Sequence, residues 1–192
     1  MKAALCTAAL ASLAALALAP NYARAENKPP LEVLYQIGLD IDHDGKLDCA
    51  AAVQDPKSIY AALYIYLTAG AAPLDLTRKP TFVKKDLTTD PVMGLASNGK
   101  DALIVRYGRV GLGSNQYETK LTIVYRGGRF WVAGITASWD LRDGSVGSCD
   151  IDFLSGKGFA ARGNGKNMPV KAKFRPIKLA DWSEDKRPRA CR

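Results

Sequence analysis

The sequence predicts an all-β fold: a mostly antiparallel single domain, sandwich-like or a strongly curved sheet, behind an N-terminal secretory signal peptide. Three observations carry this reading. Apolar and polar residues alternate at a period of two in several runs, which places one face of a strand on a core. Two such runs, rich in Thr, Val, Ile and aromatic residues, flank a glycine turn and read as a hairpin. Breakers rich in Gly, Pro, Asn and Asp separate the runs, and no amphipathic helix of normal length stands out. With 47% hydrophobic and 24% charged residues, the composition is that of an ordinary globular chain.

Residues 1–25 precede the domain. Met1-Lys2 supplies a short positive start, "AALCTAALASLAALALA" is apolar, Pro20 breaks it, and Ala23-Arg24-Ala25 is a small-x-small cleavage site. The apolar run falls short of the roughly 20 residues that a spanning helix needs, and no stop-transfer charges follow. Cleavage after Ala25 is therefore expected, and Cys6 lacks the context of a lipid anchor. Residues 26–192, about 167 in all, suffice for one domain with a core. They hold no later segment apolar enough to span a bilayer, so the expected compartment is the periplasm or the exterior, oxidising and open to calcium.

Along this domain, "LEVLYQIGL" places Leu31, Val33, Tyr35, Ile37 and Leu39 on one face. "IYAALYIYL" places Ile59, Ala61, Leu63, Ile65 and Leu67 on one face, with Tyr60, Tyr64 and Tyr66 on the other. Asp55-Pro56 could open a helix there, but the Tyr and Ile enrichment favours a strand. "ALIVRYG" is a third strand. The hairpin joins "YETKLTIVY" to "RFWVAGITASW" through Arg126, Gly127 and Gly128, with Trp131 expected in its core. "CDIDFL" follows with Cys149, Ile151 and Phe153 facing inward, and "VKAKF" closes the series.

Three cysteines survive cleavage, so an exported chain is expected to hold one bridge and one thiol. Cys191 sits in a polar, Pro-containing tail with no core to fill, and pairing is its best physical explanation. Cys49 shares strand parity with Leu47, Ala51 and Val53 and reads as a small buried hydrophobe. Cys149–Cys191 is the preferred bridge, and the two pairings through Cys49 stay open. A loop of about 40 residues closed in this way contributes ~3–4 kcal/mol in the chain-entropy model.

The stretch most informative about chemistry is "DIDHDGKLD", residues 40–48. Asp40, Asp42, Asp44 and Asp48 crowd four carboxylates into a chain that is net basic by +8. Such mutual repulsion costs stability unless a cation offsets it. In a tightly curled loop, alternate side chains converge on one point. Gly45 permits the sharp turn, and the backbone carbonyl of Lys46 adds a neutral oxygen. Hard oxygens at about 2.3–2.6 Å suit Ca²⁺, whereas Mg²⁺ demands stricter octahedral geometry. Asp40, Asp42, Asp44, Lys46 and Asp48 are thus the expected ligands of a Ca²⁺ ion.

The first nine loop positions resemble those of EF-hand and dockerin loops, but the twelfth holds Ala51 where those loops carry a bidentate Glu. With strand-like flanks, the closer resemblance is to the β-loop-β calcium loop of integrin-type FG-GAP repeats, in which the ninth-place Asp completes the shell. A wider likeness covers "DIDHDGKLDCAAAV", "YIYL", "KDALIVRYGRVGLGSNQYETKLTIVYRGGRFWVAG" and "SCDIDFLSGKG". Together these resemble a group of exported bacterial proteins with the same loop-then-β layout. That resemblance implies the periplasm, a β-rich fold and a calcium loop, and implies no activity. Without the twelfth-place Glu the expected affinity is modest, in the ~10⁻⁴–10⁻³ M range of extracellular modules.

Other features are weaker. His43 occupies the outward-facing fourth loop position and reads as a solvent-facing spacer. "GRVGLGSN" and "SGKG" are glycine-rich but lie between strands, with no helix start to hold a phosphate. Asp150 and Asp152 share a strand face at a spacing that could serve glycoside hydrolysis. Tyr60, Tyr64, Tyr66, Trp131 and Trp139 could form a carbohydrate surface, although cross-strand packing is the plainer reading. The tail bears Lys166, Lys171, Lys173, Arg175, Lys178, Lys186, Arg187, Arg189 and Arg192. It suits an envelope protein, anionic polysaccharide or lipid headgroups better than nucleic acid. The expected function is a calcium-stabilised binding or interaction module of the envelope. A structural or stress-related protein and a calcium-dependent hydrolase are the alternatives.

Overall fold

A computed structural model describes residues 31–67, 76–111, 116–140, 144–163, 165–170 and 173–192. Residues 1–25, expected to be a signal peptide, and the second half of "GRVGLGSN" lie outside them. Twelve strands follow one another: β1 (Glu32–Leu39), β2 (Asp48–Gln54), β3 (Ala61–Tyr66), β4 (Phe82–Thr88), β5 (Val92–Ser97), β6 (Ala102–Arg109), β7 (Tyr117–Arg126), β8 (Arg129–Asp140), β9 (Val146–Asp152), β10 (Lys157–Ala161), β11 (Met168–Pro169) and β12 (Ile177–Lys178). Only short 3-10 turns, at Leu179–Asp181, Glu184–Lys186 and Arg189–Cys191, supply helical structure among the described residues. No helix there is long and apolar enough to cross a membrane.

The strands form two antiparallel sheets, ordered β1-β2-β3-β4 and β11-β10-β9-β8-β7-β6-β5, with β12 added against β8. The all-β antiparallel architecture is therefore as the alternation predicts. One core joins the sheets: Ala50, Ala52, Leu63 and Ile65 from the smaller meet Leu103, Val105, Leu121, Ile123, Val132 and Ile135 from the larger. Phe82 of β4 meets Phe130 of β8 across the layers, with ring centroids 5.1 Å apart.

Several elements follow their sequence cues closely. β3 is a strand and not a helix, with Ala61, Leu63 and Ile65 buried. The β7–β8 hairpin turns at Gly127 and Gly128, at φ +58° and +73°, the pair of positive values that a two-residue type I′ turn requires. Cys149, Ile151 and Phe153 are buried as expected. "SGKG" closes the turn after β9 with Ser155 and Gly156 and opens β10 with Lys157 and Gly158.

Four expectations need correction. In β1 the pairing slips between Val33 and Tyr35, so the regular alternation fails. Leu34 and Ile37 pack on the core, while Val33 and Tyr35 are exposed. A bulge adds one unpaired residue and shifts the parity of what precedes it. Ile59 lies ahead of β3 and is 75% exposed, because the turn after Asp55 delays the strand. Trp131 is not in the main core; it covers Ala102, Val124 and Ala133 on the outer face of the larger sheet. Finally, "VKAKF" lies partly outside the described residues, and the last strands found are β11 and β12 on either side of it.

The tail, expected to offer Cys191 no core to fill, needs correction as well. Leu179, Trp182 and Cys191 are completely buried in the main core. Cys191 bonds to Cys149, with Cα atoms 5.2 Å apart, leaving Cys49 as a buried free thiol. Burial also pushes the Cys49 thiol above its ordinary pKa, which keeps it a neutral hydrophobe. The turn Leu179–Asp181 touches both β8 and β4, and Lys84 of β4 donates to the Ala180 carbonyl at 3.4 Å. β1 and β4 end the smaller sheet, and β4 carries Lys84, Lys85 and Asp86.

Candidate metal centre

The aspartate loop links β1 to β2, whose antiparallel pairing ends at Leu39↔Asp48. Both feet of the loop are anchored: Leu39 and Asp48 are buried, and Ile41 is fully inside the core. Residue 43 takes φ +65° and Gly45 φ +80°. Two left-handed residues within three positions curl the chain tightly, and glycine adopts that backbone without steric cost.

Asp40, Asp42 and Asp48 each place a carboxylate oxygen within 4.8 Å of the other two. Oxygens bound to one ion at ~2.4 Å are at most ~4.8 Å apart, so the spread fits a shared calcium-sized centre. Asp48 is 0% exposed, and its Oδ2 accepts from the Ile41 N–H at 2.9 Å. Asp40 Oδ2 accepts from the Gly45 N–H at 3.0 Å, whereas its Oδ1 is buried with no hydrogen-bond partner. Burying an oxygen of a carboxylate without a donor is costly, and a cation at the focus removes that cost. Asp42 Oδ1 accepts from the Asp44 N–H at 3.2 Å.

Asp44 stands outside this trio. Its Oδ1 accepts from the Lys46 N–H at 2.8 Å, and its Oδ2 lies 3.4 Å from the Lys46 ammonium. The fifth loop position thus faces the seventh. His43 is exposed as expected, though its Nε2 lies 3.9 Å from Asp101 Oδ2 at the start of β6. The flanks are strands, which separates this loop from the helix-flanked EF-hand.

The other predicted groups scatter. Asp150 and Asp152 do lie along β9, both exposed, but they bond to different partners. Asp150 Oδ1 takes a long 3.4 Å hydrogen bond from Thr136 Oγ1. Burial works against ionising Asp152, but the Ser155 hydroxyl and the N–H groups of Leu154 and Ser155 outweigh it and hold the carboxyl below its usual range. Tyr66 is buried, Tyr60 and Tyr64 line a pocket on the smaller sheet, and Trp131 and Trp139 line two further pockets. They form no common aromatic surface.

Sequence reasoning missed a part-buried polar cluster that holds the tail. Tyr107, fully buried on β6, donates its hydroxyl to Glu184 Oε1 at 2.5 Å. Arg187 reaches Glu184 Oε2 at 2.6 Å and Thr119 Oγ1 at 2.9 Å. Burial, then the charge and hydrogen bond of Glu184, raise the Tyr107 hydroxyl well above its ordinary value. No local pattern marks this set, since its members lie 68 and 77 residues apart.

No family model, curated protein or solved structure matches this chain.

Proposed function

We propose that the chain is an exported calcium-binding protein, a binding or interaction module of the bacterial envelope whose ion chiefly stabilises the fold. The observation that carries the ion is the convergence of Asp40, Asp42 and Asp48, with Asp48 fully buried and Asp40 Oδ1 lacking a donor. Ca²⁺ at this focus takes hard oxygens from the trio, and the Lys46 carbonyl and water complete its shell. The ion ties the end of β1 to the start of β2, and with them the Ile41 anchor. Support for export comes from the charge, apolar run and cleavage pattern of residues 1–25 and from the Cys149–Cys191 bridge, which suits an oxidising compartment.

The test is thermal unfolding of the chelated mature protein with and without added ions. At a hundredfold excess over Kd, binding contributes about 2.7 kcal/mol. For a domain of this size that raises Tm by about 5–11 °C. Asp42→Ala removes the increment, and Asp48→Asn reduces it while keeping an acceptor for the Ile41 N–H. Mg²⁺ at equal concentration gives a smaller shift. An identical Tm in calcium and in EDTA sinks the proposal.

A further inference from the structure

The outer face of the larger sheet carries a groove to which the aspartate loop contributes no residue. Its floor is low because Ala102, Ala133 and Gly134 have little or no side chain, at a point where the β7–β8 register slips. A Cβ on Gly134 would lie 3.0 Å from the Ile151 carbonyl, so the hollow depends on that glycine.

The two ends of the groove differ in chemistry. One, of about 490 Å³, is lined by Trp131, Leu154 and Pro176, with Arg126 and Arg175 at its edge. The other, of about 220 Å³, is lined by Thr122, Thr136, Asp101, Asp150 and Asp152. They share Val124, Arg126 and Leu154 in their linings and so lie side by side. The Trp131 indole is held in place, since its Nε1–H donates to the Arg126 carbonyl at 3.1 Å. Asp150 is exposed, and its one long hydrogen bond from Thr136 leaves it acceptor capacity.

An occupant matched to both ends needs a flat apolar face for the indole and several hydroxyl donors for the carboxylates and threonines. A fatty acid has no donors for the aspartates. An acidic peptide or a nucleic acid meets three carboxylates at the polar end. A sugar ring has C–H faces and a rim of hydroxyls in one unit. We propose that this groove binds a short neutral oligosaccharide, with Trp131 as the stacking platform, Asp150 as the hydroxyl acceptor and Arg126 as a donor at the junction. The inference names a partner class for the envelope module and does not need the ion, since no groove residue belongs to the aspartate loop.

The experiment is saturation-transfer NMR on the mature chain with chitotriose, cellotriose and maltotriose, each in calcium and in EDTA. At least one trisaccharide is expected to bind saturably with Kd of about 1 mM or tighter. Trp131→Ala weakens it at least about tenfold, as truncation of a central aromatic anchor does. Trp131→Phe restores much of the loss, and Asp150→Ala weakens binding about tenfold. Tyr60→Ala, on the other sheet, leaves binding unchanged. The assignment is overturned if no trisaccharide saturates, if Trp131→Ala binds as wild type does, or if hexaglutamate binds in their place. Sugar binding that persists without any calcium effect on Tm removes the ion reading alone; the reverse result removes this one alone.

Discussion

Trp182 shows how much one residue of the tail contributes. Its side chain is fully buried, and its indole Nε1 has no hydrogen-bond partner. Trp182→Ala is expected to cost about 3–5 kcal/mol in urea unfolding, as for other large core truncations. Trp182→Phe leaves a smaller cavity and removes an unanswered N–H, so its cost should be well below half of that. Tyr107 gives a residue-level prediction in pH. Its folded pKa is raised, so its contribution is fully present below the unfolded value of 10.0 and is lost as pH rises beyond it. Tyr117 acts with the same sign: burial, then its hydrogen bond to Asp90 and that residue's charge, push it up to about 12. Tm should therefore fall above pH 10, and Tyr107→Phe should flatten that fall. Equal slopes for the two proteins would remove Tyr107 as its source. At this scale the sequence discloses charge and spacing, but not which carboxylates converge. Asp40, Asp42 and Asp48 meet, while Asp44 turns to Lys46, a choice made by backbone dihedrals that the letters do not contain.

Among the elements, the hairpin and the tail stand at opposite ends of legibility. The β7–β8 hairpin was readable because period-two runs and two adjacent glycines state the same local geometry. Bulges were not, since one extra residue in β1 or β8 depends on what its partner strand offers. The tail's share in the core was not legible because its buried residues, Leu179, Trp182 and Cys191, are dispersed among charges with no strand or helix period. Its 3-10 turns bury single side chains, and the disulfide and the Tyr107–Glu184–Arg187 cluster hold them there. The bridge spans a separation of 42 residues, worth ~4 kcal/mol in the chain-entropy model. Cys149→Ala with Cys191→Ala should lower stability by about that amount and expose the tail to limited proteolysis. A double variant as stable and as resistant as wild type would show that the packed side chains suffice.

For the whole molecule, two sheets sharing one core follow from alternation together with the scarcity of helical periodicity, so the fold class was visible in advance. The strand order was not, because it rests on pairings such as β8 with β9 and β12 that sequence proximity does not dictate. The tail crosses from β8 to β4, where Phe82 and Phe130 already meet across the layers, and so ties the two sheets together on that side. β4 is the last strand of its sheet among the described residues. Lys85 and Asp86 stand exposed on that rim, and Lys84 is occupied with Ala180. Charged side chains on an edge strand, lysines above all, disfavour pairing with a strand of another molecule. A rim charged in this way is expected to discourage one chain's sheet from extending into the next.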